Sequence, residues 1–599
     1  MTTLGRAHPA DLRPRDDDSW WTRPETYPGP PPIPLPSGPV PLLPPIQFPF
    51  GSSQAVADPN MAPRRDAVKA YALRSWQAYR NYSLIPAGLP SAPLADELSP
   101  LSKQGFNRWG GCAMTAVDSL DTLWIMGLKE EFEQAVHDLA NVNITNLTIP
   151  IPLFEINIRY LGGLLSANDL TNGAYPELLT AATLTGDVLL RAFDTPNRFP
   201  NLRWDWRSYA AGHAQNATDE AVLAELGTLS LEFTRLAQVT NQPKYFDAIQ
   251  RITDALDKAQ NQTTLPGLWP PTLNTSGPSL TWDAGQWYDM GGGSDSIYEY
   301  LPKEFLLLGG RSDQYRRMYE SAIAVAKQQL FFQPMNKDNQ DILLSGYSSP
   351  GANGSSLDPL GEELACFTGG MLALGAKIFN RPDDLVTAQQ LTDGCYWAYT
   401  MMPTGIMPEV FRVAPCPSNG TCSWKEDDWK QGVAEMYQPG ANARPESIEK
   451  VIESTGLQPG FTQYLLKDYD LRPEAIEALF YMYRITGNST YQDMAWTIFE
   501  AIQRYTETDV ANAPLIDVTN TTLPSAKGDD METFWLAETL KYLFLIFSDP
   551  STISLDEWVL YASSLPRVLP VVFGLGVTNA VRPCSNTEAH PFKRPTPHP

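Results

Sequence analysis

The chain has 599 residues, 68 acidic against 44 basic side chains and a formal net charge of −24 at pH 7. Nucleic acids and anionic membranes need basic surface, so this balance argues against both as partners. Five histidines without metal-ligand spacing argue against a zinc or non-haem iron centre, and 43% apolar content suffices for a large core.

Residues 1–60 are proline-rich (YPGPPPIPLPSGPVPLLPPIQFPF) and read as an extended, disordered stem or linker without a core. The start, MTTLGRAHPADLRPRDDDSWW, has no apolar run of the signal-peptide kind, and no stretch elsewhere reaches membrane-span length. Residues 61–599 form the second unit. Apolar residues at three- and four-residue spacing predict a first helix over 64–80, and a loop with several prolines follows to about 108. From there seven segments place a carboxylate at the start of an apolar helical run. They begin near Asp118 (VDSLDTLWIMGL), Glu155 (FEINIRYLGGLLSA), Glu225 (AELGTLSLEFTRL), Asp295 (SDSIYEYLPKEFLLLG), Glu363 (EELACFTGGMLALG), Glu474 (RPEAIEALFYMYRITG) and Glu532 (METFWLAETLKYLFLIF). Each is followed by Gly, Asn or Asp and a second amphipathic stretch. Such hairpins bury their apolar faces only side by side, so one large domain to about residue 557 is expected. No stretch alternates with period two for long, so no substantial sheet is expected.

An acid at a helix start is also an ordinary cap at the positive dipole end. Repetition in phase points further: if the hairpins close into a ring, the acids converge at one end. Arg472-Pro473 before Glu474, and Gly291-Gly292-Gly293 before Asp295, suit close backbone approach to a ligand. Clustered carboxylates in a cavity are what glycoside hydrolysis needs.

Ten Asn-x-Ser/Thr sequons, at Asn81, Asn143, Asn146, Asn216, Asn261, Asn274, Asn353, Asn419, Asn488 and Asn520, suggest a secretory-pathway lumen or secretion. Six cysteines agree with an oxidising compartment. Cys416 and Cys422 are close enough to staple one loop. Cys366 and Cys395, on consecutive helical stretches, are the expected structural disulfide, leaving Cys112 and Cys584. A leader upstream of this sequence is expected, and membrane attachment only with it.

In this order VDSLDTLWIMGL, FEINIRYLGGLLSA, GGGSDSIYEYL, ACFTGGMLALG, LRPEAIEALFYMYRITG, METFWLAETLKYLFLIFSD and NTEAHPF resemble the class I α-1,2-mannosidases, glycoside hydrolase family 47. The resemblance implies an all-α (α/α)7 barrel of helical hairpins, plugged by a C-terminal β-hairpin. It implies an inverting, Ca2+-dependent enzyme that trims terminal α-1,2-linked mannose from high-mannose N-glycans of glycoproteins in the endoplasmic reticulum or Golgi lumen or outside the cell. A monomer is expected. By the same resemblance Glu155 is the general acid, Glu474 the general base, Asp295 a second essential acid and Glu409 a further acid of the site. Thr587 holds calcium through its hydroxyl and carbonyl. Glu225, Glu477, Glu532 and Glu588 line the site and hold water around the metal, and Arg159 and Arg472 bind substrate.

Three features depart from the family pattern. A segment of about 25 residues (YASSLPRVLPVVFGLGVTNAVRPCS, 561–585) separates SLDEWVL from NTEAHPF and reads as a retained intron or as a real insertion beside the plug hairpin, the first being favoured. Glu363 stands where the family commonly has His. Gly293 stands where endoplasmic-reticulum members that remove one mannose carry Arg, which makes the chain more like fungal or Golgi members. A non-catalytic mannose-glycan-binding relative in glycoprotein quality control, and a different inverting barrel hydrolase of glucoamylase type, remain the alternatives. Retention of the four acids speaks against the first, and NTEAHPF against the second.

Overall fold

Two kinds of helix alternate along the chain, one buried on all sides and one with a single buried face. The computed structural model describes residues 20–51, 59–84, 94–140, 142–351, 354–417, 422–437, 447–561 and 589–595. Its principal helices are α1 (Met61–Tyr79), α2 (Met114–Asp118, resuming as Leu120–Ile125), α3 (Lys129–Leu139), α4 (Gly162–Leu170), α5 (Pro176–Leu190), α6 (Ser230–Thr240) and α7 (Pro243–Gln260). They continue as α8 (Asp295–Leu307), α9 (Asp313–Gln329), α10 (Phe367–Ile378), α11 (Pro382–Met401), α12 (Glu474–Thr486), α13 (Thr490–Thr506) and α14 (Leu540–Ile546). Every residue of α8 and α14 is buried. In α9 the buried residues are Tyr315, Met318, Tyr319, Ala322, Ile323 and Ala326, the three-and-four spacing of one apolar stripe.

The even-numbered helices touch in sequence from α2 to α14, and the ring closes where the π-helical turn Trp535–Thr539 meets α2. Each is backed by an odd-numbered helix: α3 on α2, and so on to α13 on α12, with α1 on α14. The architecture is thus an (α/α)7 barrel. Within it, α6/α7 and α12/α13 are the two hairpins most alike in sequence, and their first helices end on left-handed caps, Asn241 and Gly487.

Sheet is confined to short pieces. An antiparallel trio of β1 (Leu360–Glu362), β2 (Val410–Val413) and β3 (Phe461–Leu466) sits beside the start of α10. A ribbon of β4 (Trp558–Tyr561) and β5 (His590–Lys593) plugs the ring: Leu560 O accepts from Tyr481 Oη of α12 at 2.9 Å, Pro591 O from Ser166 Oγ of α4 at 3.2 Å and Ala589 O from Lys541 Nζ of α14 at 3.0 Å. The segment 562–588, which holds nearly all of the insertion together with Thr587 and Glu588, lies outside the described residues. The register still bears on the insertion. Leu560 pairs with Pro591 and Tyr561 with His590. Joining Leu560 to Asn586 would put Asn586 opposite His590 and leave three residues to close the ribbon, a common hairpin length. Shortening the intervening chain by roughly three halvings recovers about 2 kcal/mol of closure entropy. A variant lacking 561–585 is therefore expected to melt no lower than the full chain and to retain its activity. A lower Tm or lost activity would make the segment a working part of the barrel.

Residues 20–51 are not the coreless linker expected. Trp20 stacks on Trp206, 5.5 Å between ring centroids, and meets Trp204 edge-on. Asp194 accepts from the amides of Thr26 and Tyr27 at 2.8 and 2.7 Å, Asp247 from Ile33 at 2.9 Å and Asp556 from Ile46 at 2.7 Å. Phe48 lies on Gly487, where a Cβ would collide with its ring, and Phe50 packs on Tyr483. Proline content keeps the segment out of helices, but its aromatic side chains bury enough surface to fasten it to the barrel.

Cys366 and Cys395 form a disulfide tying the entry of α10 to α11, and Cys416 bonds Cys422. Cys112 is free and buried; Cys584 lies outside the described residues.

Candidate active site

Because the inner helices run in one direction, their starts share one end of the barrel. Glu155 ends the helical turn before the π-helical stretch Ile156–Leu161 that leads into α4. Glu225 lies in the turn Leu223–Gly227 ahead of α6, and Asp295 and Glu474 are the first residues of α8 and α12. Glu363 precedes the turn into α10, and Glu532 the turn into α14. Each of the six is at most 6% exposed.

On one side stands Glu155. Its Oε2 accepts from Arg159 Nε at 2.8 Å, and Arg159 Nη1 donates to Thr533 Oγ1 at 2.6 Å. Arg203 pairs with Glu225, and Arg108 with Glu532 while reaching Glu97 at 3.2 Å. Burial pushes the Glu155 carboxyl above its ordinary range although Arg159 opposes it. Burial likewise takes Glu225 up to about 7 against the pull of Arg203.

Across the rim stands Glu474. Neither of its oxygens receives a hydrogen bond, and its nearest cation is Arg472, with Nη1 4.0 Å away. Burial and then the facing Glu363 carboxylate push its pKa well above the usual range. Glu363 is held by Tyr399 Oη at 3.0 Å. Glu409 accepts from Arg472 Nε and from the Asp470 amide, the latter at 2.9 Å, and burial takes it up to about 8 against Arg472.

In the glycine run before Asp295, Gly291 makes room for a side chain. A Cβ at Gly291 would collide with Glu362 Oε2, which accepts from the Gly292 amide at 2.9 Å. Burial and then Glu362 raise Asp289 well above the carboxylate range. One turn deeper, Glu477 pairs with Lys303 at 3.3 Å and accepts from Tyr542 Oη at 3.1 Å.

Arg159 and Arg472, expected to bind substrate, are fully buried and hold Glu155 and Glu409; Arg472 Nη1 has no hydrogen-bond acceptor among the described residues. Thr587 and Glu588 lie outside the described residues, and the chain resumes at Ala589 and His590, both fully buried. Sequence reasoning missed Asp289, Glu362, Arg108, Arg203 and Lys303. Glu362 was within reach, being half of a Glu-Glu doublet. Arg203 was not, because it arrives through the pairing of Arg203–Trp204 with Ile151–Pro152, across some 50 residues of sequence.

Among the described residues no group of three or more His, Cys, Asp or Glu side chains is arranged to hold a metal ion. The buried donors at this end are nevertheless oxygens suited to a hard cation and its waters: both of Glu474 and one each of Glu363, Glu477 and Glu532 lack hydrogen-bond partners.

The model of glycosyl hydrolase family 47 matches residues 72–564. The chain is 33% identical to a mannosyl-oligosaccharide 1,2-alpha-mannosidase of Arabidopsis thaliana, covering 90% of this chain and 80% of that protein. It is 31% identical to the mannosyl-oligosaccharide alpha-1,2-mannosidase of Coccidioides posadasii, over 91% of this chain and 93% of the relative. Among solved structures, the alpha-1,2-mannosidase from Trichoderma reesei superposes with a TM-score of 0.69 at 28% identity, covering 83% of this chain and 97% of that one. Sequence and architecture agree over nearly the whole barrel, and the chain belongs to glycosyl hydrolase family 47.

Proposed function

We propose that the protein is an inverting mannosyl-oligosaccharide 1,2-α-mannosidase that removes terminal α-1,2-linked mannose from high-mannose N-glycans of glycoproteins, with Ca2+ as cofactor. The observation that carries this reading is the contrast between two buried acids at one rim. Glu155 is clamped by Arg159, which fixes its orientation. Glu474 leaves both oxygens without a hydrogen bond, so each has a lone pair to accept one. An inverting hydrolase needs that division, an acid to protonate the leaving oxygen and a carboxylate on the opposite sugar face to take a proton from water.

In this reading Glu155 protonates the glycosidic oxygen and Glu474 draws the proton from the attacking water. Arg472 favours the ionised form of Glu474 against burial and Glu363. Asp295 and Glu409 are the further acids of the site. Glu225, Glu477, Glu532 and Glu588 orient sugar hydroxyls and water, Arg159 and Arg472 hold Glu155 and Glu409 in place, and Thr587 would hold the calcium. A bound calcium ion would offset repulsion among these carboxylates and order the water and hydroxyls around it. The sequons and disulfides support a secretory-lumen or secreted setting. No helix among the described residues is long and apolar enough to cross a membrane.

Proton NMR of the sugar released from a high-mannose glycan tests the assignment. β-Mannose is expected first, because water attacks opposite the leaving group. Initial α-mannose would require a covalent, retaining route and would remove Glu155 and Glu474 from these roles. Glycan binding with no release at all would instead favour the non-catalytic alternative.

A further inference from the structure

We infer that His590, on the plug strand, is a positioning residue for the catalytic acid, acting through Asp118 and Arg159 on Glu155. The inference rests on the reading of Glu155 as general acid and extends it into the barrel. His590 Nε2 lies 3.1 Å from Asp118 Oδ1, and its Nδ1 2.7 Å from Asp121 Oδ2. Asp121 is also held by Lys541 Nζ at 2.8 Å and Ser166 Oγ at 2.9 Å. Asp118 Oδ2 lies 3.6 Å from Arg159 Nη1, whose guanidinium binds Glu155 and Thr533 and covers the Trp109 ring at 5.3 Å. His590, Asp118, Asp121, Lys541 and Arg159 are all fully buried. The chain of contacts thus joins β5, α2, α4 and α14 to the rim, in a setting where water does not screen it.

The charges along it explain why the histidine matters. Burial and Lys541 would lower the His590 pKa, but the Asp121 and Asp118 carboxylates outweigh them and raise it; Glu232 of α6 is a further buried acid acting on it. As an imidazolium it pairs with both aspartates, Nδ1 bonding Asp121 and Nε2 facing Asp118. Two aspartates are then balanced by His590 and Lys541, and Arg159 is left to Glu155. Without the His590 charge, Asp118 turns to Arg159 and draws it off the acid. The other charged groups acting on Glu155 are Arg203, Glu532 and Glu225, none of which touches His590.

His590→Asn keeps a donor near the Nδ1 position and loses the one facing Asp118, whereas His590→Gln reaches the Nε2 position. His590→Asn is expected to lower kcat roughly 10–100-fold, the range for outer-shell partners of site ligands. KM should change less, and the alkaline limb of the kcat–pH profile should move up as Glu155 loses Arg159. His590→Gln turns an amide donor to Asp118 without the charge and should restore only part of kcat. Asp118→Asn leaves Arg159 wholly to Glu155 and should move the limb down. Opposite shifts in the two variants support the relay. Wild-type kcat and an unmoved limb in folded His590→Asn overturn it, as does a loss with neither a limb shift nor rescue by Gln. Should His590→Asn fail to fold, Asp118→Asn decides alone: a lowered limb supports the relay and an unmoved limb overturns it. Glu155→Gln separates the two levels, since wild-type kcat there would sink the acid assignment itself, whatever His590 does.

Discussion

Glu474→Gln is expected to lower kcat by about 10²–10⁴-fold, the contribution of a positioned general base, with glycan binding largely retained. The substitution keeps shape and removes basicity. Glu474 opens α12 fully buried, with no hydrogen bond to either oxygen, so no structural bond is broken. It also relieves the repulsion with Glu363, and the variant should melt no lower than the parent. Single-turnover release together with a binding measurement checks both halves. A kcat within a few-fold of wild type would take Glu474 out of the role.

Removing calcium is expected to abolish activity, with calcium restoring it better than magnesium. Magnesium holds a tight octahedral shell and sheds its waters reluctantly, whereas calcium accepts six to eight oxygens at looser distances, which suits a threonine, sugar hydroxyls and water. A second readout is independent of turnover: an ion binding only the folded state at 100 times its Kd adds about 2.7 kcal/mol. A calcium-dependent rise in Tm should therefore accompany the activity. Full activity in protein shown metal-free by elemental analysis would rule out the Thr587 assignment.

The barrel was legible because a seven-fold repeat of helical hairpins carries its own periodicity, and six of the seven acids open their helices in the same phase; Asp118 instead ends its helical segment and faces His590 of the plug. The six rim acids from Glu155 to Glu532 could be read for that reason. What escaped was whatever depends on long-range pairing. Arg203 reaches Glu225 only through a two-residue strand, and Asp121 joins His590 across the plug. The glycine run shows that close approach can serve a side chain as well as a ligand: Gly291 makes room for Glu362. Proline content likewise announced an irregular segment before residue 60 without saying that its tryptophans and phenylalanines would find seats on the helices.

That segment changes what counts as the folding unit. The family model begins at residue 72, yet the chain from Trp20 to Phe50 runs along the outer wall and under the far ends of α8 and α12, like a hoop on a cask. It takes hold of Asp194, Asp247 and Asp556, three carboxylates far apart in sequence, each through a backbone amide. Helix pairs in a ring touch mainly their neighbours, so one hairpin could otherwise swing outward with little help from those opposite. A strand crossing several of them makes such local opening cooperative, since the hoop has to peel before a stave can move. Cutting the protein at the family boundary would keep every acid of the rim and remove the part that makes the wall act as one.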